Sequence, residues 1–334
     1  MLFFHPAPAG AAAAGANGAL PDSLPDSLPP GTLWLDLLDG TEAEKEFVTR
    51  HTGLRVPSRA ALSEIETSSR LAVRGDALYL STPVASRAAG HTPVVTPVGL
   101  LLSPRHLVTI RFAPLTAFDT YGAEVDSEDT DTERRDCSAV LLAGLLDAIV
   151  DRLADLLEQI GAELDRLSTH AFAANEHHRP VRADAALRAA LRSVGKEGER
   201  LSRLRDTLLG VGRIVPFVEE AAAKWLPATL HGRFRSLRQD IASLNDYDTQ
   251  LANKVQFLLD ATLGFISIEQ NNTIRLLTVV SIVGIPPTLV ASIYGMNFKV
   301  MPELDWAWGY PYGLAMIAVS AILPLLWFRL KGWL

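Results

Sequence analysis

The residues best suited to chemistry in this sequence are small polar side chains that recur at helical spacing within an apolar stretch. Successive members are separated mainly by three, four or seven positions, so they share one face of a helix. This set, which we call the polar stripe, comprises Asp260, Ser267, Asn271, Ile274, Leu277, Ser281, Ile285, Thr288, Ser292 and Gly295. Such a face either lines a water-filled path in an oligomer or, more simply, allows helices to pack closely. It ends at Asn297.

Two apolar runs near the C-terminus carry and follow this stripe. The first, Leu276 to Phe298, has no charged residue, and about 20 residues at roughly 1.5 Å each cross a hydrocarbon core of about 30 Å. The second, Pro311 to Phe328, is near the lower length limit. A lipid-spanning segment must satisfy its backbone polar groups internally, so both runs are predicted to be helices that Pro286, Pro287 and Pro324 kink but do not break.

The charges that flank the two runs predict their orientation. Because the connecting loop is short, the two spans form a hairpin with both chain ends on one side. Arg275 precedes the first span and Arg329 and Lys331 follow the second, whereas the loop carries Lys299 beside two acidic residues. The positive-inside rule then places both termini in the cytoplasm. We expect a multi-pass protein of the plasma membrane, which in bacteria is the inner membrane.

Composition and motifs exclude several classes of function. A net charge of −7 without a basic patch argues against nucleic acid as a partner. The sequence contains no glycine-rich phosphate loop and no nucleophile elbow, so we predict no enzyme, no catalytic residue and no cofactor. Cys137 is the only cysteine, which excludes an intramolecular disulfide and a thiolate metal cluster.

The N-terminal part is predicted to contain a tail and a small α/β domain. Residues 1–31 are rich in Ala, Gly and Pro and are predicted to be a disordered tail. Residues 32–120 are predicted to form the α/β domain. Its predicted elements are strands over Leu33–Leu37, Leu78–Ser81, Val98–Leu102 and Leu107–Arg111 and a helix over Glu42–His51.

Residues 121–273 are predicted to form a stalk of long helices, and residues 274–334 the two-helix transmembrane domain. Apolar periodicity predicts helices over Ser138–Thr169 and Ala183–Val211. A third begins at about Val215 and continues without a break from Phe234 to Tyr294. The fold class is therefore an α+β membrane protein, with a cytoplasmic α/β domain, long stalk helices and two C-terminal transmembrane helices.

The end of the first span and the loop after it resemble the signature of the CorA family of divalent-cation transporters. The matching segments are Tyr294-Gly295-Met296-Asn297, Met301-Pro302-Glu303-Leu304 and Trp306. Asn271, Leu277, Pro286 and Thr288 stand at matching offsets. The resemblance is looser in the soluble part, where Trp34-Leu35-Asp36 and Ile65–Leu71 are the similar pieces.

The resemblance implies a funnel-shaped homopentamer in membrane lipid, with five copies of the first span around a central pore. Gly295, Met296 and Asn297 would form its outer selectivity ring, with Asn297 facing the metal ion. Mg²⁺ gives up its water reluctantly, so neutral amide oxygens that accept hydrogen bonds from its bound waters would suit it. The transported ion would be Mg²⁺, with Co²⁺ and Ni²⁺ as further candidates.

The resemblance also implies roles along the stripe. Thr288 and Asn271 would be further polar stations, and Ile274 with Leu277 a hydrophobic constriction. The remaining expected pore-lining residues are Asp260, which would face metal ions at the cytoplasmic mouth, and Ser281, Ile285 and Ser292. Glu303 in the external loop would raise the local cation concentration.

Two points depart from the family pattern, and two other functions stay open. Ile285 stands where a Met often lines the pore. The family's regulatory Mg²⁺-binding carboxylates cannot be matched to residues of this sequence, and the candidates are Asp76, Asp240, Asp246 and Asp248.

Zn²⁺ transport of the related ZntB type, coupled to protons or not, is one alternative function. The other is a membrane-anchored scaffold or sensor that does not conduct.

Overall fold

The computed structural model describes residues 1–5, 24–64, 66, 70–86, 94–127, 137–176, 180–297 and 301–332. The chain divides into two compact units. The first contains Met1–Thr169 and Arg192–Leu258, and the second contains His170–Leu191 and Leu259–Leu334.

A six-stranded mixed sheet organises the first unit. Its strands are β1 (Leu2–His5), β2 (Trp34–Leu38), β3 (Leu71–Arg74), β4 (Ala77–Ser86), β5 (Val94–Leu102) and β6 (Leu107–Arg111), in the spatial order β1-β2-β6-β5-β4-β3. β2 and β6 pair in parallel, with Asp36 opposite Thr109, and all other neighbours are antiparallel. The four predicted strands are present, and β4 and β5 are longer than predicted because each pairs along nine residues of the other.

The predicted disordered tail is wrong for its first residues, because Leu2–His5 forms the edge strand β1. β1 pairs with β2, with Leu2 opposite Leu37 and His5 opposite Trp34. Leu2 and Phe4 are buried in the core cluster, and Leu24 and Leu28 pack against the same cluster. Pairing and burial supply the stability that composition alone does not indicate; residues 6–23 lie outside the described part.

Among the described residues, three short helices cover the sheet: α1 (Glu42–Thr52), α2 (Arg59–Leu62) and α3 (Thr116–Asp126). α1 begins with a capping box, in which Thr41 N donates to Glu44 Oε2 at 2.7 Å and Glu44 N donates to Thr41 Oγ1 at 3.3 Å. It ends at Gly53, whose φ of 74° is readily adopted by glycine. Phe47 and Val48 of α1 belong to the core cluster, which also contains buried residues of β1, β2, β5 and β6.

The rest of the first unit consists of parts of three long helices, α4 (Ser138–Glu176) up to Thr169, α5 (Pro180–Ala221) from Arg192, and α6 (Leu230–Tyr294) up to Leu258. Ion pairs between these helices show how they run relative to one another. Asp147 with Arg233 and Asp165 with Lys254, both at 2.6 Å, show that α4 and α6 run parallel. Glu219 with Arg238 at 3.2 Å and Arg205 with Asp248 at 2.6 Å show that α5 runs antiparallel to α6.

The break between the second and third predicted helices lies later than predicted. α5 continues beyond Val211 to Ala221, and the turn falls around Pro227. Gly210 and Gly212 do not end the helix, because they lie where α5 comes close to Thr82 and Ile241. The uninterrupted helix from Phe234 to Tyr294 is confirmed.

The second unit contains both apolar helices. These are the C-terminal part of α6 and α7 (Gly309–Leu330), and both are long and apolar enough to cross a membrane. Only 6% of each apolar window is buried, unlike the core helix of a soluble protein. Pro286, Pro287 and Pro324 lie within continuous helices, as predicted. A 3-10 helix, Pro302–Asp305, lies in the loop between them.

Candidate functional site

The polar stripe is exposed along α6. The eight predicted pore-lining residues are all exposed: Asp260, Asn271, Ile274, Leu277, Ser281, Ile285, Thr288 and Ser292. Ile274, Leu277 and Ile285 have 60%, 62% and 64% of their surface accessible. Large aliphatic side chains this exposed at membrane depth must meet lipid, another chain or a pore.

The other side of α6 is the covered side. Its less exposed positions recur every three or four residues and include Arg275, Val279, Val283, Pro286, Val290 and Tyr294. α7 has a matching series, Gly313, Ile317, Ser320, Pro324 and Phe328. Between Asn271 and Ser292, packing of the two apolar helices therefore does not use the stripe, and the close-packing interpretation of this part requires a second chain.

Thr288 keeps acceptor capacity on the exposed face. Its Oγ1 donates to the carbonyl of Gly284 at 2.8 Å, one turn earlier in the helix. This bond uses the hydroxyl hydrogen and leaves the oxygen lone pairs available. Thr288 can therefore accept a hydrogen bond from a water molecule, including one bound to a cation.

Gly295 closes α6 in a tight turn. Its N–H donates to the carbonyl of Ala291 at 3.0 Å, and Met296 N donates to Ile293 O at 3.3 Å. A Cβ atom at position 295 would lie 3.2 Å from the Ala291 oxygen, so the turn leaves little room for a larger residue. Met296 and Asn297 follow and are exposed.

The end of α6 is electrostatically suited to cations. The last carbonyl groups of a helix carry a partial negative charge of about half an elementary charge. Asn297 adds a neutral amide oxygen three residues beyond Tyr294, the last helical residue. The backbone of Glu303 lies in the 3-10 helix that follows, and its side chain lies outside the described part.

The four candidate regulatory carboxylates do not form one site. Asp76 is exposed in the turn between β3 and β4, and Asp240 and Asp246 are exposed on α6. Asp248 is buried, with Oδ2 2.6 Å from Arg205 Nε. Burial raises the pKa of Asp248, and the bond to Arg205 offsets only part of this shift. Within the described ranges, no three His, Cys, Asp or Glu residues are grouped to hold a metal ion.

One carboxylate that sequence reasoning did not identify lies beside Asp240. Asp147 of α4 pairs with Arg233 at 2.6 Å. Burial raises its pKa, Arg233 opposes that shift, and the charges of Asp151 and Asp240 add to it. The apolar periodicity of α4 locates the helix but does not indicate that Asp147 meets α6.

A second residue with an unrecognised contact is Arg275, which the sequence marked only as a flanking charge. Its Nη2 donates to the carbonyl of Gly332 at 2.6 Å. The only sequence signal was a basic residue at the start of an apolar run.

Comparisons with known proteins find similarity to magnesium transport proteins over nearly the whole chain. The family described as CorA-like Mg²⁺ transporter protein matches residues 30–330. The magnesium transport protein CorA of Yersinia pseudotuberculosis serotype I (strain IP32953) is 34% identical over 304 residues, which cover 91% of this chain and 92% of that protein. The magnesium transport protein CorA of Pasteurella multocida (strain Pm70) is 32% identical over 303 residues, covering 90% and 92%.

The fold also matches a solved structure. The complete structure of the CorA magnesium transporter from Methanocaldococcus jannaschii superposes with a TM-score of 0.74, covering 94% of this chain and 95% of that chain at 19% identity. An identity this low shows the shared fold, including the soluble α/β part, the long helices and the two C-terminal apolar helices.

Proposed function

This chain belongs to the CorA family of Mg²⁺ transport proteins, and on that premise we propose that it carries Mg²⁺ into the cell through a central pore. It is an ion transporter and not an enzyme. The membrane potential would drive the flux, because each elementary charge gains about 2.3 kcal/mol per 100 mV and Mg²⁺ carries two.

The observation that carries this proposal is the exposure of the polar stripe on a continuous helix. A two-helix hairpin cannot enclose a pore, so several copies of α6 must surround it, and a homopentamer follows from the family resemblance. The stripe, exposed on every copy, would line the pore. α7 would lie outside, between α6 and membrane lipid, with both termini in the cytoplasm.

Asn297 would select the hydrated ion at the outer end. A ring of amide oxygens accepts hydrogen bonds from the waters of Mg²⁺ without removing them, and a ring of carboxylates would hold the ion more tightly. The partial negative charge at the C-terminus of α6 supports this role, as does the exposure of Met296 and Asn297. Co²⁺ and Ni²⁺, which also form hydrated divalent ions, are further candidate substrates.

The remaining stripe residues would act in series below this ring. Thr288, with its free acceptor lone pairs, and Asn271 would hold water around the ion. Ile274 and Leu277 would form an apolar constriction that closes by excluding water. Asp260 would concentrate cations at the cytoplasmic mouth of the pore, and Glu303 would concentrate them at the outer mouth. Because both charges are proposed to be exposed, salt should weaken their effect.

Mg²⁺ uptake into proteoliposomes containing the purified protein tests the proposal. We expect uptake by the wild-type protein and its loss in Asn297→Ala. Zn²⁺ uptake tied to proton movement, without Mg²⁺ uptake, would assign the chain to the zinc alternative. No flux of either ion would favour a scaffold or sensor.

Two adjacent asparagines provide a matched pair for the stripe. Asn271 lies on the stripe, and Asn272 is turned by about 100° around the same helix. Both are exposed, so both substitutions alter an accessible side chain of the same type. We expect Asn271→Ala to lower Mg²⁺ uptake and Asn272→Ala to leave it near the wild-type rate. Equal effects would contradict the assignment of Asn271 to the pore.

A further inference from the structure

Arg275 joins the two apolar helices at the end distant from the Gly-Met-Asn segment. Its Nη2 donates to the carbonyl of Gly332, 57 residues later, at 2.6 Å. Gly332 follows the last residue of α7 by two positions and has a φ of 67°. The last carbonyls of a helix lack partners within the helix, and a basic side chain there is favoured by both hydrogen bonding and the helix dipole. Arg275 of α6 thus bonds the backbone carbonyl just beyond the C-terminus of α7.

The helices are most completely buried beside this bond. Val279, one turn after Arg275, is 7% exposed, and Phe328, one turn before Gly332, is 1% exposed. From Arg275 to Tyr294 of α6 and along the described residues of α7, these two alone are buried. We call Arg275, Val279, Phe328 and Gly332 the clasp.

The clasp lies at the level of the proposed constriction. Arg275 stands between Ile274 and Leu277 in the sequence, and these two side chains are exposed at 60% and 62%. At about 100° per residue, Arg275 is turned away from both. An anchor on one side of a helix fixes the direction of the side chains on the other side, because rotation of the helix would break the anchor.

We propose that the bond from Arg275 to Gly332 is a positioning contact that orients Ile274 and Leu277 toward the pore axis and so keeps the constriction closed to ions. This inference rests on the proposed pore function. Arg275 acts through its neighbours and does not touch the ion. Without the bond, α6 can rotate or bend away from α7 at this level, and the apolar side chains no longer meet across the pore.

Leak of Mg²⁺ from loaded proteoliposomes without an applied potential tests the proposal. A hydrogen bond from a charged donor favours the bonded arrangement by about tenfold or more, so we expect Arg275→Gln to increase the leak about tenfold. Arg275→Lys keeps a charged N–H donor near this position and should restore part of the closure. Arg329→Gln removes a nearby exposed charge that does not bond Gly332 through its side chain, and should leak like the wild type.

Gly332→Ala provides a variant that keeps the charge of Arg275. Alanine is disfavoured at a φ of 67°, so the carbonyl should move away from Arg275. We expect the same increase in leak, and no further increase when the two substitutions are combined, because they remove one interaction. Size-exclusion chromatography should show the wild-type oligomer in each case.

The outcomes separate the two proposals. If the wild-type protein takes up no Mg²⁺, the proposed function fails. If it conducts and both Arg275→Gln and Gly332→Ala leak at the wild-type rate, the clasp proposal alone is wrong. An equal increase in Arg329→Gln would also overturn it, because charge rather than the bond would then control the leak.

Discussion

Arg111 and Asp36 form a buried ion pair between the parallel strands β6 and β2. Arg111 Nη2 lies 2.8 Å from Asp36 Oδ2, Nε donates to the same oxygen at 2.9 Å, and the two side chains are 4% and 2% exposed. Thr109 Oγ1 donates to Asp36 Oδ1 at 2.5 Å and accepts from Trp34 Nε1 at 3.0 Å. The pair therefore belongs to a hydrogen-bonded network at the only parallel contact of the sheet described above.

Asp36→Ala should destabilise the protein by about 3–5 kcal/mol, because it leaves the Arg111 guanidinium buried without its main partner. Asp119 also pairs with Arg111, at 2.7 Å, but is 45% exposed. Asp119→Ala should therefore cost about 1 kcal/mol or less. Urea unfolding of the detergent-solubilised full-length protein gives both values, and equal losses would show that Asp36 has no special role.

Gly210→Ala should destabilise the contact between α5 and the sheet. An added methyl group would overlap the hydroxyl oxygen of Thr82 and lie 3.1 Å from its Cβ, in a strand that cannot easily move. Overpacking typically costs about 1–3 kcal/mol. On the same helix, Gly195 has open space, so Gly195→Ala should gain up to about 1 kcal/mol from helix propensity. Opposite shifts in thermal midpoint are expected, and a stabilising Gly210→Ala would contradict the close contact.

Asp248 should make stability increase as the pH falls. Burial raises its folded-state pKa above the ordinary value of 3.8 even though Arg205 is bonded to it. Between the two pKa values the native protein binds more protons than the unfolded chain, so the penalty for the buried charge disappears as pH falls through the folded pKa. As the pH is lowered from neutral, we expect the thermal midpoint of the wild-type protein to rise relative to that of Asp248→Asn. Asp246→Asn, at an exposed position of the same helix, is the control for general effects of charge removal.

Gly295→Ala should reduce Mg²⁺ uptake while leaving the protein folded. The added Cβ would lie 3.2 Å from the Ala291 carbonyl oxygen, so the turn must shift and carry Met296 and Asn297 with it. A displacement of a few tenths of an ångström in every subunit would alter the proposed selectivity ring, and we expect a loss of about tenfold in uptake, or about 1.4 kcal/mol. Gly313→Ala, where an added methyl has no neighbour within 4 Å, should conduct normally. Equal uptake by the two variants would count against the selectivity ring.

Local patterns could predict the polar stripe because its members follow one another along one helix. The spacing from Asp260 to Ser292 indicates a shared face whatever else the chain does, and the structure shows that face exposed. The same reasoning could not identify the role of Arg275 on the covered side. In the sequence Arg275 looks like any basic residue that flanks an apolar run, and only its bond to Gly332 distinguishes it. It also ended the second helix at Val211, whereas α5 continues to Ala221, and Gly210 and Gly212 lie within it where it approaches Thr82 and Ile241.

The sequence by itself determined that two apolar helices end the chain, that long helices precede them, and that the polar stripe leads to Asn297. These properties depend on hydrophobicity and periodicity over consecutive residues, which are fixed before the chain folds. Only the tertiary structure decided that Leu2–His5 joins the sheet, that Asp36 meets Arg111 and that Arg275 bonds the carbonyl of Gly332. Each of these requires partners far apart in sequence, and their hydrogen bonds and burial become favourable only after the rest of the fold has brought them together.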